Sequence, residues 1–187
     1  ELDGYKWSDS KWLKAKEAGL VLIQIWEDEW KNNKEQVKNI LLHSLGISNI
    51  PKIDTTDAIV REATLEEVSS FLADNHTECP VIWSQCYGLF QNTVLHAIIA
   101  ISQEDQKRFN IVRYDTDDLV IGGFAKMISY IEESLQPDLL TIYSDNCVSD
   151  GSLYANAGFT VESEIAPDYR YVIGTKRCDK FDFGIQK

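Results

Sequence analysis

Hydrophobic and polar positions follow two different spacings along the chain, which predicts a succession of helices and strands. Apolar residues three and four positions apart indicate helices, whereas short apolar or alternating runs indicate strands. Helices are predicted at 11–18, 33–45, 64–75 and 152–157, with another that begins at the glycine pair 122–123 and runs to 135. Strands are predicted at 20–26, 58–62, 86–90, 94–102, 109–114, 139–143, 159–165, 169–173 and 180–183.

Local sequence signals support two of these predictions. Thr64 and Glu67 have the spacing of a capping box, in which each side chain accepts a hydrogen bond from the other residue's backbone N–H at a helix start. Residues 91–93, Gln-Asn-Thr, separate two apolar runs and predict a tight hairpin turn. We therefore expect a capped helix at 64–75 and an antiparallel pair formed by 86–90 and 94–102.

The order of the elements predicts an α/β fold. From residue 57 to residue 173 the order is β, α, β, β, β, α, β, α, β, β, which implies a mixed sheet with helices on its faces. Residues 1–50 form a small α-β-α segment, whose single strand cannot make a sheet. This segment is expected to dock on the following domain, to pair with another chain, or to be the tail of a larger domain. Pro51 and a polar run predict a linker at 51–56.

Charge is distributed unevenly along the 187 residues, whose net charge is −12. Residues 1–56 carry 8 basic and 9 acidic side chains, whereas residues 57–187 carry 10 and 21. An acidic surface of this kind repels nucleic acid and anionic membranes at long range. The charge pattern therefore argues against DNA binding by residues 57–187.

Hydropathy indicates a soluble chain with a real core, because 44% of its residues are hydrophobic. No stretch approaches the roughly 18 to 20 apolar residues of a membrane span, and no signal-peptide pattern opens the chain. We expect a cytoplasmic protein without a membrane partner. Since residue 1 is Glu rather than Met, we also expect the natural N-terminus to lie upstream.

Metal-binding motifs are not evident in the sequence, and we expect no bound metal. The four cysteines lie far apart without a CxxC pair, which favours reduced thiols over a zinc site or a disulfide framework: Cys79, Cys86, Cys147 and Cys178. Asp115, Asp117 and Asp118 lack the glycine and the distal glutamate of an EF-hand loop. A solvated acidic turn is the simpler interpretation. His96, in a predicted strand, is expected to be a histidine satisfied by one partner.

The segment 121–126 is the main candidate for chemistry. Glycines at a strand-to-helix junction let backbone N–H groups approach a phosphate, and the helix start adds partial positive charge. The candidate anion-binding residues are Ile121, Gly122, Gly123, Phe124, Ala125 and Lys126. A glycine pair that opens a helix is also common as simple turn punctuation, so this alternative stays open.

The string 152–159, Ser-Leu-Tyr-Ala-Asn-Ala-Gly-Phe, resembles a motif of the GNAT acetyltransferase superfamily. A short helix that ends in Tyr-x-x-x-Gly-Phe is frequent in that family, and Tyr154, Gly158 and Phe159 match it. The resemblance covers 57–187 and implies a GNAT-like sheet, with the acetyl-CoA pyrophosphate on 121–126. It also implies that Tyr154 protonates the departing thiolate. A phenol with an ordinary pKa of about 10 suits that role, and packing of the ring under the sheet would explain Tyr154 equally well.

Two features depart from the GNAT pattern. The family's loop is Gln/Arg-x-x-Gly-x-Gly/Ala, and Val120 stands where Gln or Arg is expected. The three carboxylates at 115, 117 and 118 would each oppose a phosphate at ~8 Å by roughly 0.5 kcal/mol in water. This is comparable with the roughly 0.3 to 1 kcal/mol that a helix end supplies. These departures weaken a phosphate site at 121–126 without excluding it.

A second resemblance covers nearly the whole chain. Phage homing-endonuclease-like proteins, related to very-short-patch-repair nucleases, end their nuclease domain with a segment similar to 18–30, and many continue into a GNAT-like domain. The other matching pieces are 120–123, 143–145, 153–154 with 158–159, 167–169, 171–172 and 176–177. The resemblance implies a phage protein in a bacterial host cell, with residues 1–50 as a nuclease remnant. Residues 2–9 resemble a nuclease motif but lack its catalytic histidine.

Two functions from different classes follow from these resemblances. The first is a CoA-dependent N-acyltransferase in which an acceptor amine attacks the thioester directly. Ser144 and Asp145 would orient the amine, and helix capping explains these two residues as well. The second is a catalytically inactive module, derived from a phage homing endonuclease, that binds DNA or protein. DNA binding would require a basic face, for which the candidates are Lys176, Arg177 and Lys180 with Lys11, Lys14 and Lys16.

Overall fold

The structure is a computed structural model that describes residues 9–45, 47, 52–75, 82–165, 171–174 and 176–178. Its helices are α1 (Asp9–Glu17), α2 (Glu27–Asn32), α3 (Lys34–Ser44), α4 (Leu65–Asn75), α5 (Gly123–Leu135) and α6 (Ser152–Asn156). Its strands are β1 (Lys52–Asp54), β2 (Ile59–Glu62), β3 (Gln85–Gln91), β4 (Val94–Asp105), β5 (Arg108–Thr116), β6 (Leu119–Ile121), β7 (Leu139–Ile142), β8 (Tyr171–Ile173) and β9 (Lys176–Cys178). The strand predicted at 180–183 lies outside the described residues.

The chain divides into two compact units that do not follow the predicted boundary at 51–56. The first unit combines residues 1–48, 145–150 and 160–187, and the second combines 49–144 and 151–159. Ion pairs hold the distant segments of the first unit together, since Lys16 bonds Glu164 at 2.9 Å and Arg177 bonds Asp28 at 2.8 Å. The C-terminal residues therefore belong with the N-terminal segment rather than with 57–144.

The second unit is built on a five-stranded sheet in the order β2-β3-β4-β5-β7. The first four strands are antiparallel neighbours, and β7 alone runs parallel to its neighbour β5. This mixed sheet with helices beside it confirms the α/β class. In the described part of the chain no helix is long and apolar enough to cross a membrane.

Helices cover both faces of this sheet. Phe124, Met127, Ile128 and Ile131 of α5 pack with Ile99 and Ile101 of β4 in the larger core cluster. Val68 and Phe71 of α4 pack with Ile98 and Ala100 in the smaller one. Adjacent residues of β4 enter different clusters because side chains alternate between the two faces of a strand. The continuous apolar run in β4 is therefore that of a strand buried on both sides.

Both local signals in the sequence are confirmed. The Thr64 backbone N–H donates to Glu67 Oε2 at 2.9 Å, and the Glu67 N–H donates to Thr64 Oγ1 at 3.3 Å, which is the capping box. In the hairpin, Asn92 and Thr93 have φ values of 50° and 71°, and Gln91 pairs with Val94. Positive φ at both central residues suits the twist of a two-residue hairpin.

Two predicted strands are wrong, and one strand forms where a linker was predicted. Residues 20–26, which are an apolar run, and residues 159–165, which mix apolar and polar side chains, are not in strands. Leu20 and Val21 are 66% and 63% exposed, which shows that the first run does not enter a sheet. The composition of a segment does not show whether the fold places another strand beside it for pairing. Conversely, β1 forms within the predicted linker because it pairs with β6.

The ion pair between Glu67 and Arg61 predicts a specific pH dependence of stability. Hydrogen bonds from the Arg61 guanidinium, at 2.7 and 3.0 Å, hold the Glu67 pKa at about 2, below its ordinary 4.5, with help from the Thr64 N–H. A depressed folded-state pKa stabilises the fold above pH 4.5, and this contribution disappears as the pH falls through about 2. The melting temperatures of the wild type and Glu67→Gln should therefore converge between these two pH values.

Glu66→Gln provides the control for this titration, because it makes the same change of charge one residue away. Melting curves of the three proteins between pH 7 and 2 measure the effect. If the gap between wild type and Glu67→Gln stays constant across that range, the proposed contribution of the Arg61 pair is contradicted.

Candidate functional site

β5 and β7, the parallel pair of the five-stranded sheet, separate at their carboxyl ends. Pairing between β5 and β7 runs from Arg108 opposite Leu139 to Ile111 opposite Ile142, where β7 ends. β5 continues to Thr116, paired with β4 on one side and with no described strand on the other. Ligands of α/β proteins bind where neighbouring strands part in this way. The carboxyl half of β5 is therefore where a site is expected.

The start of α5 lies beside this carboxyl half of β5, which β7 does not reach. Phe124, the second residue of α5, contacts Tyr114 of β5 with ring centroids 4.9 Å apart. Gly122 is the N-cap residue, and no side chain caps the helix. The N–H groups of the first helical turn have no intrahelical acceptor, so an uncapped start can bind an anion. Gly122 and Ala125 are exposed, whereas Gly123 and Phe124 are buried.

The fold requires glycine at both positions of the pair, for its backbone conformation at Gly122 and for packing at Gly123. Gly122 has a φ of 71°, which side chains rarely tolerate. A Cβ atom at Gly123 would lie only 2.4 Å from Val120 Cγ1 and 3.5 Å from Leu89 Cδ1. The side chain at position 120, where the GNAT pattern has Gln or Arg, therefore occupies the space next to Gly123. Both glycines are accounted for by the fold itself, as the turn interpretation implies.

Residues 52–56 form a clasp over the segment that precedes α5. β1 runs parallel to β6, with Ile53 opposite Val120, and Thr55 Oγ1 donates to the Ile121 carbonyl at 2.8 Å. Lys126 Nζ donates to the carbonyls of Thr55 and Thr56 at 2.7 and 3.3 Å. Lys126 was predicted to bind phosphate, and here two of its three ammonium donors bind the clasp.

Aromatic side chains connect α6 to the start of α5. The buried ring of Phe124 lies 5.4 Å from Tyr154 and 6.1 Å from Phe159, measured between ring centroids. The structure therefore brings Tyr154 next to the glycine-led helix start, through Phe124. Tyr154 also packs against the core, so its ring has the packing role considered from the sequence.

Tyr114 is a residue of this site that the sequence did not single out. Burial raises the pKa of Tyr114, and the nearby Tyr154 raises it further. Its phenol therefore stays protonated at neutral pH and can act as a hydrogen-bond donor. The alternation of side chains along β5 would place Tyr114 on the α5 face of the sheet, which is the signal that could have identified it.

Ser144 and Asp145 follow β7 but belong to different units. The Ser144 hydroxyl is buried without a hydrogen-bond partner among the described residues. Asp145 belongs to the first unit, where its Oδ1 accepts the Cys147 N–H at 2.8 Å and its carbonyl accepts the Ser149 N–H at 3.0 Å. The Asp145 side chain thus stabilises a turn at 146–148 and caps no described helix, so the helix-capping interpretation is wrong for Asp145.

Two of the residues considered for a DNA-binding face are paired with carboxylates. Arg177 bonds Asp28 at 2.8 Å and Glu29 at 2.6 Å, and its guanidinium lies 4.9 Å from the ring centre of Trp26. Lys16 bonds Glu164. Lys180 lies outside the described residues. The paired charges contribute less to phosphate binding, because a phosphate would have to compete with the carboxylates.

Among the described residues, the His96 side chain has one hydrogen-bond partner, as the sequence predicted. Its Nδ1 lies 2.9 Å from Asp117 Oδ2 and 3.2 Å from Oδ1. The His96 and Asp117 side chains are 13% and 25% exposed. Asp118 lies close to both residues, and this grouping was not evident from the sequence.

Comparison with models of known protein families, with curated proteins and with solved structures finds no match for this chain.

Proposed function

We propose that the second unit is a CoA-dependent N-acyltransferase of GNAT type. The observation that carries this proposal is the uncapped start of α5 beside the carboxyl half of β5, where β5 and β7 separate. Tyr154, the proposed acid, contacts Phe124 at the same helix start. The anion-binding element and the acid are thus close enough to serve one ligand.

The roles of the residues follow from this placement. Acetyl-CoA would supply the activated acyl group when bound. The backbone N–H groups of 123–125 would hold its pyrophosphate, because the first turn of α5 leaves them without helical acceptors. Tyr154 holds a proton on its phenol oxygen for the leaving sulfur. The buried Ser144 hydroxyl supplies an unsatisfied polar group for an acceptor amine.

The aspartates at 115, 117 and 118 repel a phosphate less strongly in the structure than the sequence alone suggests. Asp115 lies 3.8 Å from Arg113 Nε, and Asp117 pairs with His96. Asp115 therefore has a charged basic partner of its own. This pairing reduces the repulsion between Asp115 and a phosphate, because an ion pair has a weaker field at a distance than a single charge does.

Calorimetric titration of acetyl-CoA into the whole chain tests the proposal. We expect saturable heat, and we expect Ala125→Glu to weaken binding at least about tenfold by placing a carboxylate among the first-turn N–H groups. An acidic residue in the first turn suits a helix, so this variant should fold. Ser134→Glu makes the same charge change in the last turn of α5 and serves as the control.

The proposal fails if the folded wild type gives no heat with acetyl-CoA at about 1 mM. It also fails if Ala125→Glu binds acetyl-CoA as tightly as the wild type and the control Ser134→Glu do. Release of free thiol in the presence of small primary amines, followed with a thiol reagent, then distinguishes transfer from binding alone.

A catalytically inactive protein-binding module is the second candidate. The close packing of Gly123 against Val120 favours this second function, because it explains the glycine without a bound ligand. Exposed apolar side chains in the first unit, including Leu20, Val21 and Leu45, offer a surface for a protein partner. The DNA-binding version is weaker, since Arg177 and Lys16 are paired with acidic residues. A folded protein that gives no heat with acetyl-CoA would favour this second function.

A further inference from the structure

We propose that His96, Asp117 and Asp118 bind a divalent cation of the Mn²⁺ or Zn²⁺ type. One nitrogen or oxygen atom from each side chain lies within 4.8 Å of the others. An imidazole nitrogen with two carboxylate oxygens is a donor set that suits these metals. The proposal is independent of the acyltransferase hypothesis, because it uses none of the residues assigned to acetyl-CoA.

The backbone fixes the relative positions of these three side chains. Ala97 of β4 pairs with Thr116 of β5, and immediately beyond this pair the Asp117 N–H donates to the His96 carbonyl at 3.1 Å. His96 and Asp117 are therefore held opposite each other, and Asp118 follows directly. Asp117 and Asp118 form the two-residue bend between β5 and β6, so paired strands fix the chain on both sides of these two residues.

Charge at this point of the sheet favours a cation. Arg113 is next to Asp115, at 3.8 Å, whereas Asp118 has no ion pair with any described residue. A divalent cation would neutralise the adjacent carboxylates of Asp117 and Asp118.

Only small side-chain rotations are needed to form the site. Two atoms that each coordinate a metal at ~2.1 Å are at most about 4.2 Å apart. The ligand atoms of the three side chains lie within 4.8 Å of one another before any metal is bound. Three protein ligands leave at least one coordination position for water. Coordination through His96 Nδ1 would replace its hydrogen bond to Asp117.

Titration of Mn²⁺ into the whole chain at neutral pH tests the proposal. Calorimetry gives the affinity, and paramagnetic broadening of backbone amide NMR signals gives the location. We expect saturable binding with a Kd below about 1 mM and selective broadening at residues 96, 117 and 118. Asp118→Asn should weaken binding at least about tenfold. Glu104→Gln, an equal charge change at an exposed position of β4, should bind as the wild type does.

Asp118→Asn is preferred to a His96 variant because His96 is bonded to Asp117 within the fold, whereas the Asp118 substitution leaves that pair in place. Circular dichroism and a melting curve check that the variant is folded. Equal Mn²⁺ affinity in the wild type and in folded Asp118→Asn would overturn the proposal. Broadening centred elsewhere, or no binding below about 1 mM, would also overturn it.

Discussion

Phe124→Ala is expected to lower the free energy of unfolding by about 3–5 kcal/mol. The ring is only 1% exposed and lies against Tyr114, Tyr154 and Phe159, so its removal leaves a cavity among three aromatic side chains. These neighbours belong to β5, to α6 and to the segment that follows α6, and they cannot all move in to fill the space. Urea denaturation of the two proteins measures the difference.

Phe124→Leu and Tyr143→Ala are the matched variants for this experiment. Leu retains most of the buried apolar volume, so Phe124→Leu should cost less than Phe124→Ala. Tyr143 is 66% exposed, and its truncation should change stability by no more than about 0.5 kcal/mol. A loss below about 1 kcal/mol for Phe124→Ala would show that Phe124 does not hold α6 against the sheet.

Gly123→Ala is expected to lower the free energy of unfolding by about 1–3 kcal/mol. Ala normally stabilises a helix relative to Gly, so the sign of this change is unusual. The new Cβ would lie 2.4 Å from Val120 Cγ1, and Val120 is itself buried and stiff at χ1. Chemical denaturation of the single variant gives the size of the loss.

A double-mutant cycle with Val120→Ala isolates this contact. Val120→Ala removes the methyl group that the new Cβ would meet, so Gly123→Ala should cost less in that background than in the wild type. Additive effects of the two substitutions would contradict the steric explanation. In that case the requirement for glycine at position 123 would have to come from something other than Val120.

Local patterns in the sequence predicted most of the second unit, because those patterns determine short-range structure. The capping box needs only residues three apart, and the hairpin needs only its turn and two flanking runs. By contrast, the apolar run 20–26 has the composition of a strand but finds no strand partner among the described residues. Whether such a run pairs depends on distant parts of the chain, which composition does not reveal.

The candidate site was predictable only in part, for the same reason. Gly122 and Tyr154 stood out because each lies in a local motif. The bond from Lys126 to the Thr55 carbonyl joins residues 71 positions apart, and no periodicity points to it. His96 and Asp117 are 21 positions apart, and they come together only once the register of β4 and β5 is known. The sequence therefore identified separate residues, and the sheet register grouped them.

The clasp formed by residues 52–56 limits where the chain can be divided. A shortened protein that begins at residue 57, the start of the domain predicted from sequence, would lack both carbonyls that bind the Lys126 ammonium and the Thr55 hydroxyl that binds Ile121. It would lose an interaction of the fold and gain an unpaired positive charge at the start of α5. We therefore expect such a fragment to bind anions more tightly than the intact chain does. A fragment that begins before Lys52 keeps the clasp and avoids this artefact.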